Sequence, residues 1–478
     1  MQNTFYWLDY ETFGADPVRD RPAQFAGLRT DADLNEIGEP LLVYCRPAPD
    51  YLPHPEACLI TGITPQIARE RGLAESDFIA RILAELAVPG TCGVGYNSLR
   101  FDDEVTRHTL FRNFHDPYER EWRNGNTRWD LIDVLRMTRT LRPQGIEWPC
   151  KDDGRPSFRL EDLTRANGID HAGAHDALVD VRATLALARL LRAQQPKLFE
   201  YALLARDKTW AKRMLNVVER KPILHFSSRF PAEQGCAALV VPLAIHPVNS
   251  NSVICCNLLL DPRPLLTLDA DTLRQYLYTR TEDLPPGMER IPLKEIHLNK
   301  SPMIVPAAML DATIAARFGI DIERCHANLE RLNAVADLAQ KLRAVFTSQR
   351  ERAAVDVDFS LYAGGFLDDS DRRLAAQVRT MTPDKLAGHA FDFTDPRLKE
   401  LLFRYRARNY PDTLSAAEQL LWREHCAARL DGTAAQGMLN CEDFRASIAK
   451  LREERAGDAR AQVLLDELQQ YAGELCCR

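Results

Sequence analysis

The stretch FYWLDYETFG, residues 5–14, decides the fold of the first part of the chain. Its apolar run, Phe5 to Leu8, is typical of a strand buried in a sheet, and side chains two positions apart on a strand point to the same face. Asp9 and Glu11 are therefore expected side by side at the end of this strand. Because neighbouring carboxylates repel one another unless a cation neutralises them, and Mg²⁺ takes oxygen ligands, the stretch predicts a metal site.

The sequence that follows, up to about residue 190, alternates between strand-like and helix-like segments. GTCGVGYNSLRFDDEV (90–105) contains a glycine-rich strand edge and then a turn. Two later segments carry apolar residues at helical spacing, RWDLIDVLRMTRTLRP (128–143) and HDALVDVRATLALARLL (175–191). This alternation predicts an α/β domain with a mixed sheet. Gln194, Gln195 and Pro196 end the last helix and mark a domain boundary.

Beyond that boundary the pattern of the sequence changes twice. CAALVVPLAIHP (236–247) and SVICCNLLLD (252–261) are short apolar runs separated by turn residues, which is typical of a small β-rich domain. Residues 321–350 are predicted to be helices appended to it, and the chain after about 352 is mostly helical in pattern. We therefore predict three domains, covering residues 1–195, 196–350 and 351–478.

Composition narrows the class of protein. The 478 residues are 45% hydrophobic and 27% charged, as in ordinary soluble globular proteins. The start, MQNTFYWLDYE, lacks a secretory signal and no apolar run approaches the ~18 residues of a membrane span, so we expect a cytoplasmic protein that does not enter the membrane. The twelve cysteines are scattered without a CxxC motif, which predicts free thiols. The net charge of −7 disfavours a surface that binds nucleic acid all over, but it is compatible with a local basic groove.

Three further residues extend the predicted metal site into a catalytic one. Asp102 lies in a turn after a strand, where an acidic group can face a cleft. His175 precedes a helix that Asp176 is placed to cap, and Asp180 lies in the first turns of that helix. Four carboxylates can hold two divalent ions, and an imidazole can take a proton from water. Phosphodiester hydrolysis is the reaction that uses these parts together.

Other polar residues near these motifs receive a plainer interpretation. A DxE pair alone is more often a solvated turn or cap, and only the order of the other motifs favours the metal interpretation. Asp103 and Glu104, which follow Asp102, are expected to be solvated. Asp176 is expected to be a helix cap, and His171 a surface loop residue.

Two groups of arginines are possible nucleic-acid contacts. The first recurs at helical spacing, and either a solvated helix face or a phosphate or partner contact fits it: Arg136, Arg139 and Arg142. The second lies among aromatic residues that either stack bases or pack in the core: Arg404, Arg406 and Arg408, with Phe403, Tyr405 and Tyr410.

The motifs resemble those of a known family. DYET (9–12), NSLRFD (97–102) and H-x4-D (175–180) are similar to the three motifs of the DEDDh exonucleases. Longer segments resemble the bacterial exodeoxyribonuclease I family: DRPAQFA (20–26), GYNSLRFDDEVTRHTLFRNFHDPYE (95–119), RWDLIDV (128–134), PSFRLEDLTRANGI (156–169) and LLFRYRARNYP (401–411). The resemblance runs from residue 5 almost to the C-terminus, which distinguishes the chain from short relatives.

The resemblance implies a ribonuclease H-like nuclease domain, a small β-rich SH3-like barrel domain and a C-terminal α-helical domain, forming a clamp over single-stranded DNA. It implies a processive 3′→5′ exonuclease that degrades single-stranded DNA to 5′-mononucleotides in DNA repair and recombination. A monomer is expected.

The resemblance also implies roles for individual residues. Asp9, Glu11, Asp102 and Asp180 would hold two Mg²⁺ ions, for which Mn²⁺ substitutes, and His175 would activate the water. The 3′ end of the DNA would be bound by Glu11, Thr12, Phe13, Gly14, Phe101 and Arg159. The family binds the C-terminal tail of single-stranded-DNA-binding protein, and Arg142 and Tyr201 match positions associated with that pocket.

Two other functions remain open at this stage. A nuclease of the same chemistry could act on RNA ends, because no residue in the sequence shows whether the site accepts or rejects the 2′-hydroxyl of RNA. A non-catalytic DNA-binding or scaffolding protein on a nuclease fold is the other alternative. The intact set of five catalytic residues argues against a protein without activity.

Overall fold

The structure is a computed structural model, which describes residues 3–347, 355–433 and 437–476. The chain divides into two compact units. Unit 1 comprises Met1–Asn126, His171–Arg182 and Arg352–Arg478, and unit 2 comprises Thr127–Asp170 and Ala183–Glu351. The short segment that carries His175 and Asp180 thus belongs with the N-terminal residues.

The described residues contain eleven β-strands. In chain order they are β1 (Thr4–Thr12), β2 (Pro22–Thr30), β3 (Glu36–Cys45), β4 (Gly72–Leu73), β5 (Thr91–Gly95), β6 (Thr127–Asp130), β7 (Ile223–Phe226), β8 (Ala237–Ile245), β9 (Ser252–Asn257), β10 (Leu293–His297) and β11 (Ile304–Pro306).

The described residues also contain twenty α-helices. The first ten are α1 (Pro55–Thr61), α2 (Pro65–Arg71), α3 (Glu75–Leu86), α4 (Asp102–Arg112), α5 (Leu131–Leu141), α6 (Leu160–Ala166), α7 (Ala177–Gln194), α8 (Pro196–Leu204), α9 (Lys208–Met214) and α10 (Arg263–Thr267). The others are α11 (Ala270–Tyr278), α12 (Ala312–Phe318), α13 (Ile322–Asn333), α14 (Leu338–Thr347), α15 (Asp369–Thr380), α16 (Pro383–Ala387), α17 (Pro396–Asn409), α18 (Ala416–Leu430), α19 (Cys441–Glu454) and α20 (Ala459–Cys476).

Unit 1 is built on a mixed sheet in which five strands lie in the order β4-β3-β2-β1-β5. β1 pairs antiparallel with β2 and parallel with β5, so it is buried between two neighbours. Its apolar residues pack accordingly, and Trp7 is fully buried. The predicted mixed α/β sheet and the buried strand at its centre are confirmed.

The N-terminal and C-terminal parts of unit 1 share a hydrophobic core. One cluster joins Phe13, Tyr51 and Leu52 to Phe444 and Leu468 of α19 and α20. A second cluster joins residues of α4 and the loop after it to residues of α15 and α17. The predicted helical C-terminal part is therefore confirmed, and it is packed against the sheet-bearing part rather than independent of it.

A buried ion network reinforces this packing. Asp358 accepts hydrogen bonds from Arg404, Arg408 and Arg429, and Asp50 accepts from Arg408 and Arg429. Both carboxylates are fully buried.

Two of the three arginines at 404–408 belong to this network, and Arg406 pairs with Glu418 instead. Of the two uses left open for the aromatic residues of this segment, core packing holds for Phe403 and Tyr405, and the arginines pair with acids. Basic and aromatic residues in one helix look the same in sequence whether they face nucleic acid or buried acids.

Unit 2 contains an antiparallel sheet of five short strands in the order β10-β9-β8-β7-β11. Its apolar side chains belong to two clusters, one of which groups Val241 and Ile254 with Leu332 and Leu342 of the helices that follow. The predicted β-rich segment with appended helices is confirmed.

The cysteines depart from the expectation in one place. Cys441 and Cys476 form a disulfide, with Cα atoms 6.0 Å apart, so the prediction of free thiols is wrong for this pair. Packing of α19 against α20 brings together two residues that are 35 positions apart, which sequence spacing does not reveal. Nine other described cysteines are free.

Among the residues that the structure describes, no helix has the length and apolar character to cross a bilayer.

Candidate active site

The site forms where two parallel strands end. β5 pairs only with the first part of β1, Thr4 to Trp7, so Asp9 and Glu11 extend beyond that pairing. Glu11 is buried and Asp9 is partly exposed. The chain leaves β5 at the same edge and enters α4, whose first residue is Asp102. Carboxyl ends of parallel strands are where α/β proteins commonly place their ligand sites.

Asp102 is fixed directly to β1. Its Oδ1 accepts a hydrogen bond of 3.0 Å from the backbone N–H of Tyr10, the residue between Asp9 and Glu11. Only 3% of Asp102 is exposed. The first two predicted motifs are therefore joined by a direct hydrogen bond.

The third motif is held against β2, the strand next to Glu11. Gln24 of β2 lies opposite Glu11, and its side-chain oxygen accepts a hydrogen bond of 3.0 Å from the backbone N–H of Ala177 at the start of α7. Asp176 accepts from the backbone N–H groups of Leu178 and Val179, so its predicted role as a helix cap is confirmed.

This docking brings the three motifs together. Glu11, His175 and Asp180 each present one ligand atom, and these atoms lie within 4.8 Å of one another. Residues from positions 11, 175 and 180 thus converge on one point, as the sequence motifs predict.

The negative charges of the clustered carboxylates favour the binding of a cation. Burial raises the pKa of Asp9, and the charges of Asp102, Glu11 and Asp180 raise it further. The pKa of Glu11 is raised by burial and then by Asp180 and Asp102. Without a cation, burial and the neighbouring charges therefore favour the protonated forms of Asp9 and Glu11, and a bound cation would favour the charged forms.

The donor set fits a divalent metal ion. Carboxylate oxygens are the ligands of hard cations such as Mg²⁺ and Mn²⁺, and an imidazole nitrogen adjoins them. A divalent charge would offset the repulsion that raises the pKa values of Asp9 and Glu11. The residues present can therefore hold a metal ion.

The segment after the DxE motif has a rigid backbone. The hydroxyl of Thr12 donates to the carbonyl of Gly14 at 2.6 Å. A Cβ atom at Gly14 would lie 2.2 Å from the carboxylate of Asp20, so only glycine fits there. The side chain of Phe13 is 1% exposed and packs in the core, which leaves its backbone rather than its ring available to a nucleotide.

The other predicted DNA contacts lie in different surroundings. Phe101 is half-buried and packs against the core of unit 1, directly before Asp102. Arg159 is exposed in unit 2, where it lines an open cavity of about 480 Å³ with Lys151, Arg155 and Arg136. Arg136 pairs with Asp133, Arg155 pairs with Asp153 and Glu233 shares the cavity, so Arg159 and Lys151 are the cations best placed for a phosphate backbone.

The two predicted partner contacts both lie in unit 2. Arg142 is exposed at the end of α5. The hydroxyl of Tyr201 donates to the carbonyl of Ile304 at 3.1 Å, and its ring packs edge-on against Trp210. Arg136 differs from Arg142, because it is buried and paired with Asp133.

Two residues predicted to be solvated or superficial are in fact buried beside the site. Asp103 is 3% exposed and accepts a 2.6 Å hydrogen bond from buried Arg120. The side chain of His171 is 7% exposed and contacts Asp180. Glu104 is also paired, with Arg107. The partners of Asp103 and His171 depend on how the chain folds back, which gave no signal in the sequence, whereas Glu104 and Arg107 are three positions apart on α4.

A cavity of about 640 Å³ elsewhere in unit 1 does not mark the site. It is lined by aromatic and cationic side chains, among them Phe111, Phe114, Tyr118, Phe366 and Arg379. None of the five catalytic candidates is part of its lining.

Comparison with protein families covers nearly the whole chain. Residues 6–188 match the family described as "Exonuclease", residues 206–348 the "Exonuclease I SH3-like domain" and residues 355–475 the "Exonuclease I C-terminal domain". Exodeoxyribonuclease I of Escherichia coli is 46% identical over 476 residues, covering 99% of this chain and 98% of the relative. That of Haemophilus influenzae is 44% identical over 474 residues, with 99% and 98% covered.

The chain belongs to the exonuclease I family. The resemblance carried by the sequence motifs is thereby confirmed, as are the nuclease, SH3-like and C-terminal helical parts of the predicted fold. So is the assignment of the chain as an exodeoxyribonuclease I.

Solved structures of exonuclease I are similar to this chain over nearly its whole length. The moderately thermophilic exonuclease I of Methylocaldum szegediense is 51% identical with a TM-score of 0.93, and 99% of each chain is covered. The zinc-bound form of the E. coli exonuclease I–ssDNA complex is 45% identical with a TM-score of 0.93, and all of each chain is covered. A structure of SSB/exonuclease I in complex with the inhibitor CFAM is 45% identical with a TM-score of 0.92, covering 99% of this chain and 100% of that one.

Proposed function

We propose that this member of the exonuclease I family is a metal-dependent 3′→5′ exonuclease that degrades single-stranded DNA to 5′-mononucleotides. The observation that carries the proposal is the convergence of Glu11, His175 and Asp180 within 4.8 Å. Asp102 is tied to the same strand end through Tyr10. The ssDNA in the E. coli complex supports the choice of substrate.

Asp9, Glu11, Asp102 and Asp180 are proposed to hold two Mg²⁺ ions, for which Mn²⁺ substitutes. Divalent ions bound there would stabilise negative charge on the attacking and leaving oxygens. The zinc ion in the E. coli complex supports a cation site in the family, and the choice of Mg²⁺ follows from the carboxylate oxygens.

His175 is proposed to act as the general base. Its imidazole takes a proton from the attacking water, whose oxygen then bonds to the terminal phosphorus. The bond from phosphorus to the 3′-oxygen of the preceding nucleotide breaks, that oxygen takes a proton from solvent to become the new 3′-hydroxyl of the strand, and a 5′-mononucleotide leaves. Because His175 is only partly buried, the proton can pass to solvent between cycles.

The 3′ end is proposed to lie against the backbone of Thr12, Phe13 and Gly14, beside Glu11. Phe101 offers a partly exposed ring next to Asp102 for the terminal nucleotide. Arg159 is proposed to contact the phosphate backbone of the strand, together with Lys151, which lines the same cavity.

The remaining predictions are retained as proposals. We propose that the domains cover residues 1–195, 196–350 and 351–478. We also propose that the enzyme is a monomer, that it is processive, and that it acts in the cytoplasm in DNA repair and recombination. The tail of single-stranded-DNA-binding protein is proposed to bind near Arg142 and Tyr201. The SSB/exonuclease I structure supports such a partner in the family.

The test is degradation of defined single strands in the presence of Mg²⁺. A DNA and an RNA of the same sequence, each labelled at the 5′ end, are compared with the same DNA blocked by a 3′-phosphate. Progressive shortening of the unblocked DNA, release of 5′-mononucleotides and little loss of RNA are expected.

Each other outcome has a definite meaning. Equal or faster loss of RNA would show a ribonuclease of the same chemistry. Tight DNA binding without any degradation would show a scaffolding protein. The matched control is Asp180→Asn, which keeps the size of the side chain and removes its charge; full metal-dependent cleavage by this variant would contradict the site assignment.

A further inference from the structure

A second histidine lies against the candidate metal site. The Nε2 atom of His171 is 2.5 Å from Oδ1 of Asp180, and the two side chains are 7% and 16% exposed. His171 lies in the loop that precedes α7, four residues before His175. It is not one of the residues whose ligand atoms converge, which are Glu11, His175 and Asp180.

The contact constrains how Asp180 is oriented. The carboxylate of Asp180 accepts hydrogen bonds from the ring of His171 and from the backbone N–H of His175. The terminal torsion of an aspartate is broad, so the carboxylate rotates easily unless hydrogen bonds fix it. Two donors from one loop therefore decide which part of the carboxylate faces Glu11.

We propose that His171 is a positioning residue: it holds the Asp180 carboxylate in the orientation that binds the metal ion with Glu11 and His175. The proposal rests on the metal site of the proposed function. His171 acts through Asp180 and does not contact the DNA or the reacting water. Hydrogen-bond partners behind metal ligands typically account for 10–100-fold in metal affinity or activity.

A role as a metal ligand fits the geometry less well. A ring nitrogen that already contacts Asp180 has its hydrogen or lone pair engaged in that contact. His175, by contrast, is part of the converging group. The two histidines therefore have different tasks, one at the reaction centre and one behind a ligand.

The experiment measures Mn²⁺ binding directly, without DNA, from the electron paramagnetic resonance signal of free Mn²⁺. His171→Leu fills the space of the ring and removes the donor. His171→Gln keeps an N–H group at a similar distance from the backbone. The matched control is His326→Leu, which changes an exposed histidine in unit 2.

The expected result is Mn²⁺ binding that is about 10–100-fold weaker in His171→Leu, and near that of the unchanged protein in His171→Gln and His326→Leu. In DNA degradation, saturating Mn²⁺ restores the rate of His171→Leu, and its KM for single-stranded DNA is unchanged. A purely structural role would lower Tm in the absence of metal and would not be rescued by glutamine.

The proposal is overturned if His171→Leu binds Mn²⁺ as tightly as the unchanged protein, or if His171→Gln is as weak as His171→Leu. Should the leucine variant fail to fold, His171→Asn replaces it, because its shorter amide does not reach Asp180. If the unchanged protein itself neither bound Mn²⁺ nor degraded DNA, the proposed function would fail instead.

Discussion

His175 occupies an unusual backbone conformation. Its φ of 70° lies in the left-handed region, where residues other than glycine are uncommon and asparagine is among the better tolerated. A residue held in such a conformation is over-determined by its surroundings, here by the Asp176 cap and the docking of α7 on Gln24. The loop therefore presents the imidazole in one direction.

This conformation supplies a clean test of the proposed general base. His175→Asn retains a residue that tolerates the left-handed region and removes the imidazole. We expect kcat to fall by roughly 10²–10⁴-fold, the range for loss of a general base, while Tm and the Kd for single-stranded DNA stay unchanged. Single-turnover cleavage, thermal unfolding and fluorescence anisotropy measure the three quantities.

The control is His389→Asn, because His389 is exposed in the C-terminal part. A loss of less than about tenfold in His175→Asn would mean that another group takes the proton.

The sequence alone was enough to identify the residues whose side-chain chemistry and spacing indicate a metal site. Asp9 and Glu11 could be paired because strand periodicity fixes their common face. His171 and Asp103 could not be placed, because their burial depends on how a loop folds back. The partner of Asp103, Arg120, lies 17 residues further along the chain. The roles of the site residues stay predictions until variants are measured.

The elements of unit 1 are joined by buried ion pairs. Asp358, in the segment before α15, receives hydrogen bonds from arginines of α17 and α18. Removing one member of a buried ion pair leaves an uncompensated charge, and the cost is about 3–5 kcal/mol. Each carboxylate of this network is therefore more sensitive to replacement than a surface acid.

Asp358→Asn is expected to lower the free energy of unfolding by about 3–5 kcal/mol, because Arg404, Arg408 and Arg429 keep their charges without the negative charge that they share. Urea unfolding followed by tryptophan fluorescence measures the change. Asp412→Asn, at an exposed position, is the matched control. Equal stability of the two variants would contradict the role given to the network.

Glu75 at the start of α3 gives unit 1 a dependence on pH. Burial alone would raise the pKa of Glu75, but Arg112 and Arg21 outweigh it and lower the pKa to about 2. The pKa of an unfolded glutamate is about 4.3, so the folded state holds the charged form more strongly. The stabilisation is fully present above about pH 4.3 and is lost as the pH falls towards 2.

We therefore expect Glu75→Gln to have a lower Tm than the unchanged protein at pH 7, and the difference to shrink between pH 4.3 and pH 2. Thermal unfolding across this range, monitored by circular dichroism, tests both parts. A difference that is constant with pH would show that Glu75 stabilises through packing alone.

Helices and strands were predictable because they repeat a local pattern. The strand at residues 5–8, the helix after His175 and the helical C-terminal part all follow from periodicity. The ion pairs of α17 were not predictable, because Arg404 and Arg408 pair with Asp358 and Asp50, to which no local sequence pattern connects them. The pairing of Cys441 with Cys476 depends in the same way on helix packing.

For the whole molecule, the division of the chain into units differs from a simple sequence of domains. Unit 1 takes residues from both ends of the chain and from the short segment His171–Arg182. Local patterns cannot predict this, because it depends on which distant surfaces bury each other. The fold class was still accessible, since it follows from the kinds of element and from the family resemblance.

We expect a fragment of residues 1–350 to lack a cooperatively folded nuclease. Without the C-terminal helices, Phe13, Tyr51 and Phe111 lose apolar partners, and Asp50 loses its arginines. Calorimetry should show no sharp unfolding transition, and a dye that binds exposed apolar surface should fluoresce strongly. Co-expression with residues 351–478 should restore both properties. A sharp transition and full exonuclease activity in the fragment alone would contradict this.

The ion pairs of Asp50 can form only late in the synthesis of the chain. Arg408 and Arg429 come 358 and 379 residues after Asp50. At about 5–20 residues per second, a ribosome needs roughly 20–70 s to make the first of them. The hydroxyl of Tyr51, next to Asp50, donates to Asp20, whose carboxylate lies beside Gly14 just after β1. A nascent chain thus carries every candidate catalytic residue long before these arginines exist, and we expect unit 1 to complete its folding only when its last helices leave the ribosome.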